Sequence, residues 1–575
     1  MNTTVINQDR KSLTLGRLWM ALILLLTIKS LFVVISMRGI QWYYIPFSLV
    51  TVVPALMLVS FSFLFKPKGA AIYLIVLDVL LSFLFIADIV YARGYDYILK
   101  VSIVMSTDKL SGTGESAFAL MRWTDFLILL DIPFLIWFAV KHKAEEGKRR
   151  IKTFLLTFFG PLVFTIAAFV LLTANRSLCD YDEHVIFLSP LGNHLYDLYS
   201  TAIGSKQDLS EDEETEVEDW FESNAQYLDA SEEYEDLHGI LKGKNIIVIQ
   251  TESLESMVLD AEYQGQEITP ELNRILEDSI WFTDVHEQVL FGNSCDAELM
   301  FLTSTYPISS GSAFMRYGDN TYNAIPKILS SSGYSSLAMH GDDPNFWNRE
   351  TVYSGFGFLD YVTEESFDYT DEGGMGILDE CFFHQATDEL DALPDPYFEF
   401  LITLSSHIPF ELPEECNTMD LEDDGKTDDY MQAIHYTDAC IGDFIDNLES
   451  SGELDNSAVV IYGDHEGLSK YYGTDFADND MHVPFIVYIP GLDGFTVDSI
   501  GGQVDMLPTL LYLMGVDESE YSYSVMGRNL LGDGAGAVLM ASGEIIGECA
   551  DQDLLENARD IADLVTASDY FLKDN

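Results

Sequence analysis

Positive charge is scarce in this chain: 30 Lys and Arg stand against 93 Asp and Glu in 575 residues. The shortage is uneven. Residues 1–179 hold 18 Lys+Arg and 10 Asp+Glu, whereas residues 180–575 hold 12 and 83. So acidic a C-terminal part repels the phosphates of a nucleic-acid backbone and argues against a nucleic-acid partner. Cysteine is scarce too. There are six cysteines, none in a CxxC pair, which argues against a zinc ribbon or a thioredoxin motif. A C-terminal part of this size can build its core without disulfides.

Apolar sequence is concentrated in the first third. Runs near residues 17–37, 44–65, 70–91, 125–141 and 153–174 each approach the ~20 residues needed to cross a bilayer as a helix. A cleaved signal peptide would leave one shorter run, not five. Basic residues cluster before the first run (Arg10, Lys11, Arg17), between the second and third (Lys66, Lys68), and between the fourth and fifth (Lys141, Lys143, Lys148, Arg149, Arg150, Lys152). The positive-inside rule makes these the cytoplasmic loops. Five spans then put the C-terminal domain outside the cell. The division expected is a transmembrane domain of five helices over 1–179, an acidic linker over 180–240 and an extracellular domain over 241–575. Within the linker, Trp220, Phe221 and Tyr227 suggest an amphipathic helix at the membrane surface. Lys29, Asp78, Asp88 and Asp131 fall in or near the spans. Charge there is costly, so such residues pair between helices or meet a lipid substrate.

From Lys244 the pattern changes. NIIVIQ, SSLAMH, YFEFLITLSS, SAVVIYGD and VPFIVYIPG read as buried strands, separated by helical stretches such as ITPELNRILEDS and DMLPTLLYLMGV. This alternation predicts an α/β fold with a mostly parallel sheet. In such sheets the site lies beyond the carboxyl ends of the strands. There stand Thr251-Glu252-Ser253, Gly463-Asp464-His465, Ser405-Ser406-His407, and a loop with Asp342, Asp343, Trp347 and Arg349 beside His340. Glu252, Asp464 and His465 form an oxygen and nitrogen donor set suited to Mn²⁺, Mg²⁺ or Zn²⁺. Ser294, in Gly292-Asn293-Ser294-Cys295-Asp296-Ala297-Glu298, is a candidate hydroxyl nucleophile for that ion, or the N-cap of a helix whose first turn favours Asp296 and Glu298.

The ordered set of TES, GNSCDAE, HGDDPNFWNRE, TLSSHIPF, YGDHEG and GGQVDMLPTLL, behind five apolar runs, resembles the lipoteichoic acid synthases and related phosphoglycerol transferases. These are sulfatase-like enzymes of the alkaline phosphatase superfamily. The resemblance implies that Glu252, Ser294, Asp464 and His465 hold one divalent metal, Mn²⁺ first among the candidates. It implies that Ser294 is the nucleophile, in the place of the family's threonine. His407 then lies near the substrate phosphate, and His340, Trp347 and Arg349 line the glycerol-phosphate pocket. The implied donor is phosphatidylglycerol, and the implied acceptor is a membrane-linked glycerophosphate polymer or glycolipid. A phosphoethanolamine transferase, a sulfatase-like hydrolase and a non-catalytic lipid-binding scaffold are the alternatives. Formylglycine chemistry needs C-x-P-x-R. Cys295 is followed by Asp296, Ala297, Glu298 and Leu299, without that Pro or Arg.

Overall fold

The computed structural model describes residues 2–574, apart from 96, 101–103, 105–113, 142–149, 175–180, 204–205, 207, 368–371, 374–375, 391, 423–424, 474–475, 477–480, 535 and 550. The chain forms two units, one of residues 1–104 and 120–204, the other of 105–119 and 205–575.

The first unit carries five helical segments long and apolar enough to cross a membrane: Gly16–Arg38, Tyr44–Leu64, Pro67–Tyr95, Trp123–Val140 and Ile151–Val170. They fall where the hydropathy predicts. Lys143, Lys148 and Arg149, which contribute to the orientation, lie outside the described residues. The intramembrane charges answer one another between helices. Lys29 Nζ lies 2.7 Å from Asp78 Oδ1, 2.8 Å from Asp131 Oδ2 and 2.8 Å from Ser82 Oγ. Asp88 meets His194 at 2.9 Å, and Arg93 grips Asp125 with two bonds of 2.7 and 2.6 Å. These groups therefore have partners on neighbouring helical segments.

The second unit is an α/β domain around one eight-stranded sheet. Its strands are β1 (Asn245–Thr251), β2 (Ser279–Phe282), β3 (Ser335–His340), β4 (Asp360–Thr363), β5 (Tyr397–Ile402), β6 (Ser457–Gly463), β7 (Phe485–Tyr488) and β8 (Phe495–Val497). Across the sheet the order is β8-β2-β7-β6-β1-β5-β3-β4. The pairs β6-β1, β1-β5, β5-β3 and β3-β4 are parallel, and β7 runs antiparallel to both its neighbours. Every residue of β1, β3, β5 and β6 is buried, as expected for parallel strands covered on both faces. Register levels their carboxyl ends: Thr251 pairs with Gly463, Gln250 with Ile402, and Ile402 with His340. Four strand ends therefore open onto one rim.

The helices used below are α1 (Glu211–Asn224), α2 (Ser294–Thr303), α3 (Arg349–Phe356), α4 (Lys426–Ser451) and α5 (Gln552–Ser568). The stretch expected as an acidic linker contains α1, which begins at a Ser210/Glu213 capping box. Val217, Trp220 and Phe221 are buried, and the Trp220 indole donates to Leu554 O of α5 at 3.0 Å. The apolar face of α1 packs on the domain, so the surface-helix expectation for Trp220 and Phe221 does not hold. The same periodicity serves either purpose, and α5 supplies the nearer partner.

Candidate active site

The rim of the sheet concentrates polar groups. Glu252 follows β1, and Asp464 and His465 follow β6. Ser294 opens α2. Its predecessor Asn293, rather than Ser294 itself, occupies the N-cap position, with φ 49° and ψ −118°. Gly292 is required by close approach, because a Cβ there would lie 2.2 Å from Asp296 Oδ1 and 2.7 Å from Cys295 Sγ. Asp296 closes that turn by accepting the N–H groups of Leu290 and Gly292 at 3.0 and 2.8 Å.

Glu252, Asp464 and His465 each offer a ligand atom within 4.8 Å of the others, and all three are buried. Ser294 Oγ lies 3.3 Å from Glu252 Oε2 and 3.4 Å from His465 Nε2. His465 Nε2 is 3.4 Å from both Glu252 Oε1 and Asp464 Oδ2. Secondary contacts hold these side chains in place. Asp464 Oδ1 accepts Ser253 N–H and His465 N–H, both at 2.8 Å, and Ser253 Oγ donates to Glu252 Oε1 at 2.9 Å. Thr403 Oγ1 accepts Glu252 N–H at 3.0 Å, and Gln503 donates to Asp464 O at 2.6 Å.

The donor set fits a divalent cation. Burial, then the charge of Asp464, pushes Glu252 well above the ordinary carboxylate range, and burial raises Asp464 as well. Two buried carboxylates this close hold both charges only beside a cation. Asp464 Oδ2 is buried without a hydrogen bond among the described residues. The imidazole is prepared in the same sense. His465 Nδ1 faces the carbonyl of Glu466 at 2.9 Å. A carbonyl only accepts, so Nδ1 carries the proton and the Nε2 lone pair points into the cluster. Burial, then Lys470, lowers the ring to about 4 and keeps it neutral.

His407 and His340 are oriented likewise. Their Nδ1 atoms face Ile408 O at 2.7 Å and Ile402 O at 3.1 Å, which leaves each Nε2 an acceptor. Burial lowers His407 to about 4, and burial then Arg349 lowers His340 well below its ordinary value. Arg349 opens α3 and is fully buried. Its Nε lies 3.1 and 3.2 Å from the two Glu298 oxygens and its Nη2 donates to Oε1 at 2.6 Å. Nη1 makes no hydrogen bond among the described residues. Trp347 is buried with φ 54°, followed by Asn348 at φ 65°. Its ring lies 5.9 Å from that of Phe346, over which Arg349 sits at 5.5 Å.

Several contributors carry no sequence signal of their role. Glu298 reads as a first-turn acid, yet it anchors Arg349 and accepts from Tyr353 at 2.5 Å. Asn293 Nδ2 reaches His465 Nε2 at 3.0 Å and Tyr471 at 3.2 Å, while Lys470 donates to Asn293 Oδ1 at 2.7 Å. Asp342, in the loop after β3, is buried, and burial raises it to about 7. Asp505 accepts from Gly502 and Arg528 N–H groups at 2.8 and 2.7 Å and ties a turn together. Cys295 Sγ faces Ser312 Oγ at 3.2 Å, and burial holds the thiol well above its ordinary range. It is a small buried residue and not a reactive one.

Comparison with known proteins gives one answer. Residues 1–209 match the lipoteichoic acid synthase N-terminal domain, and residues 244–516 match the sulfatase family. Lipoteichoic acid synthase 2 of Bacillus subtilis is 32% identical over 498 residues, which span 82% of this chain and 76% of that one. The lipoteichoic acid synthase of Staphylococcus aureus is 30% identical over 571 residues, spanning 93% and 86%. The crystal structure of the lipoteichoic acid synthase LtaP from Listeria monocytogenes superposes with a TM-score of 0.53 at 26% identity, covering 61% of this chain and 97% of that one.

Proposed function

The chain belongs to the lipoteichoic acid synthase family, and from that premise we propose that it is a membrane-bound phosphoglycerol transferase. It takes glycerol phosphate from phosphatidylglycerol and passes it to a membrane-linked glycerophosphate polymer or glycolipid through a covalent intermediate on Ser294. Residues 1–179 are the membrane part, 180–240 the acidic stretch after it, and 241–575 the catalytic domain on the outer side. The reading rests on one observation. Ser294 Oγ sits 3.3 Å from Glu252 and 3.4 Å from His465, inside a buried donor cluster at the rim of a parallel sheet.

Glu252, Ser294, Asp464 and His465 would hold the ion, and three oxygen donors with one imidazole favour Mn²⁺. A bound ion supplies a lowered pKa for the Ser294 hydroxyl and positive charge beside the phosphoryl oxygens. Ser294 Oγ forms a bond to phosphorus as the bond to the diacylglycerol oxygen breaks, and the serine proton ends on diacylglycerol. In the second half an acceptor hydroxyl forms the new bond to phosphorus, the bond to Oγ breaks, and the acceptor's proton returns to Ser294. His407 Nε2, an acceptor in its fixed tautomer, relays those protons. Arg349 offers Nη1 to phosphate or glycerol oxygens while Glu298 keeps its plane fixed. His340 and Trp347 complete the wall of the pocket. The membrane part confines enzyme and lipid to one surface and raises their effective concentration.

Labelled phosphatidylglycerol supplied to Ser294→Ala is the direct test. Diacylglycerol release should fall at least ~10³-fold, as expected for loss of a nucleophile, and mass spectrometry of the wild type should find glycerophosphate on Ser294. Undiminished release by the variant would refute the reading.

A further inference from the structure

A second group of metal-ligating side chains lies outside the cluster just described. Asp284, His286 and His482 each present a ligand atom within 4.8 Å of the other two. His482 Nε2 is 2.8 Å from Asp284 Oδ1, and His286 Nε2 is 3.1 Å from the same oxygen. We propose that Asp284, His286 and His482 form a second divalent-cation site, one selective for Zn²⁺, that staples residues 284–286 to the segment entering β7.

Backbone geometry builds the site. His286 and His482 face each other across an antiparallel bridge. The flanking bonds run from Val483 N to Val285 O at 2.9 Å and from Glu287 N to Met481 O at 2.7 Å. The histidines are therefore a non-hydrogen-bonded pair, the kind whose side chains come closest. Their ring centroids are 4.1 Å apart at 38°. Such proximity suits a shared cation. Asp284 reaches the pair from two residues before His286 on the same segment, so all three donors come from two chain segments in fixed register.

The donor chemistry separates this site from the catalytic one. Two imidazoles and one carboxylate form a softer set than two carboxylates, a hydroxyl and one imidazole, and Zn²⁺ favours the former. Exposure points the same way. The His286 side chain is 5% exposed, but His482 is 19% and Asp284 33% exposed, so an ion can enter from solvent and keep a water. The surrounding domain is strongly acidic and concentrates dications near its surface. The site also adjoins the nucleophile's supports. Glu287, next to His286, accepts Glu466 N–H at 2.5 Å and pairs at 3.3 Å with Lys470, which holds Asn293 beside Ser294. Zinc here would brace that chain of contacts.

Total bound metal in the full-length, detergent-purified protein tests the idea. Wild type, His482→Gln and Asp284→Asn are equilibrated with micromolar free Zn²⁺, passed through a desalting column and analysed by elemental mass spectrometry. The carboxamide introduced by His482→Gln can still donate to Asp284 but is a poor zinc ligand. Two ions per wild-type chain and one per variant chain are expected, with Co²⁺ substitution giving a visible d–d band in the wild type that both variants weaken. If His482→Gln fails to fold, Asp284→Asn decides alone. Equal metal content in wild type and the folded variant would overturn the proposal and leave a hydrogen-bonded triad only.

Discussion

Arg349 and Glu298 meet as a fully buried forked ion pair, with Nη2 2.6 Å from Oε1 and Nε within 3.2 Å of both oxygens. Neither residue is more than 1% exposed. The guanidinium that the sequence suggests for substrate thus commits two of its nitrogens to the protein. Its plane is fixed by the protein itself, and Nη1 is left without a hydrogen bond among the described residues.

Removing the partner should separate folding from function. Glu298→Gln leaves a buried guanidinium without its counter-charge, which costs about 3–5 kcal/mol in comparable sites. The expected result is a melting temperature lowered by several degrees and kcat/KM for phosphatidylglycerol reduced about 10–100-fold, as when a positioning contact slips. Urea unfolding and diacylglycerol release on the same preparation report both. Wild-type values for both would show that the pair does not position Arg349.

Metal removal should destabilise the catalytic domain rather than merely silence it. Glu252 and Asp464 are held above the ordinary carboxylate range by burial, so without a cation they share protons or repel. An ion present at 100 times its Kd adds about 2.7 kcal/mol to stability. Chelation should therefore lower the melting temperature, and Mn²⁺ should restore it. The shift should shrink in Asp464→Asn, which keeps the shape and loses a charged ligand. An unchanged melting temperature on chelation would contradict the fit of this cluster to an ion.

The outline of the site is legible in the sequence because parallel strands are continuous apolar runs, and the residues just past each run must emerge at the rim. Glu252, Asp464, His465 and His407 can be located that way, and the spans can be located because a bilayer demands long apolar helices. Partners brought together by folding leave no such trace. Glu298 and Arg349 are 51 positions apart, and Asp284 and His482 198 apart. A carboxylate in a helix's first turn looks the same whether it serves the helix dipole or a distant arginine. Trp220 and Phe221 illustrate the converse: an apolar helical face is visible, but whether lipid or α5 covers it is decided by tertiary packing.

Lys29 should matter for assembly and not for chemistry. Its ammonium is shared by Asp78 and Asp131 between helices, at 2.7 and 2.8 Å. Lys29→Met leaves two carboxylates in the apolar interior and should lower thermal stability in detergent by the several kcal/mol typical of an orphaned buried charge. Lys29→Met/Asp78→Leu should recover part of that loss. Turnover per folded molecule should stay within about twofold, since the contacts of Lys29 are with Asp78, Asp131 and Ser82 and not with the candidate site residues. A selective loss of turnover in a stable Lys29→Met protein would return this group to a role with lipid.

His407 provides the pH test. Burial depresses its pKa to about 4, against an ordinary value of 6.5. In the unfolded chain the ring takes up a proton as pH falls through 6.5, whereas in the folded protein it stays neutral until about 4. The stability it contributes is therefore fully present above 6.5 and lost as pH drops toward 4. His465 is lowered to about 4 as well, and His340 well below its ordinary value, so His407→Gln removes one of three contributions and should make the unfolding free energy less steep between pH 7 and 5. For catalysis the same depression keeps the Nε2 lone pair available throughout the neutral range. Turnover measured with saturating Mn²⁺ should show no acid limb near 6.5 from this residue and should fall only as pH approaches 4–5. An acid limb at 6.5 that disappears in His407→Gln would mean that the ring is solvated during turnover and that its tautomer is not held by Ile408 O.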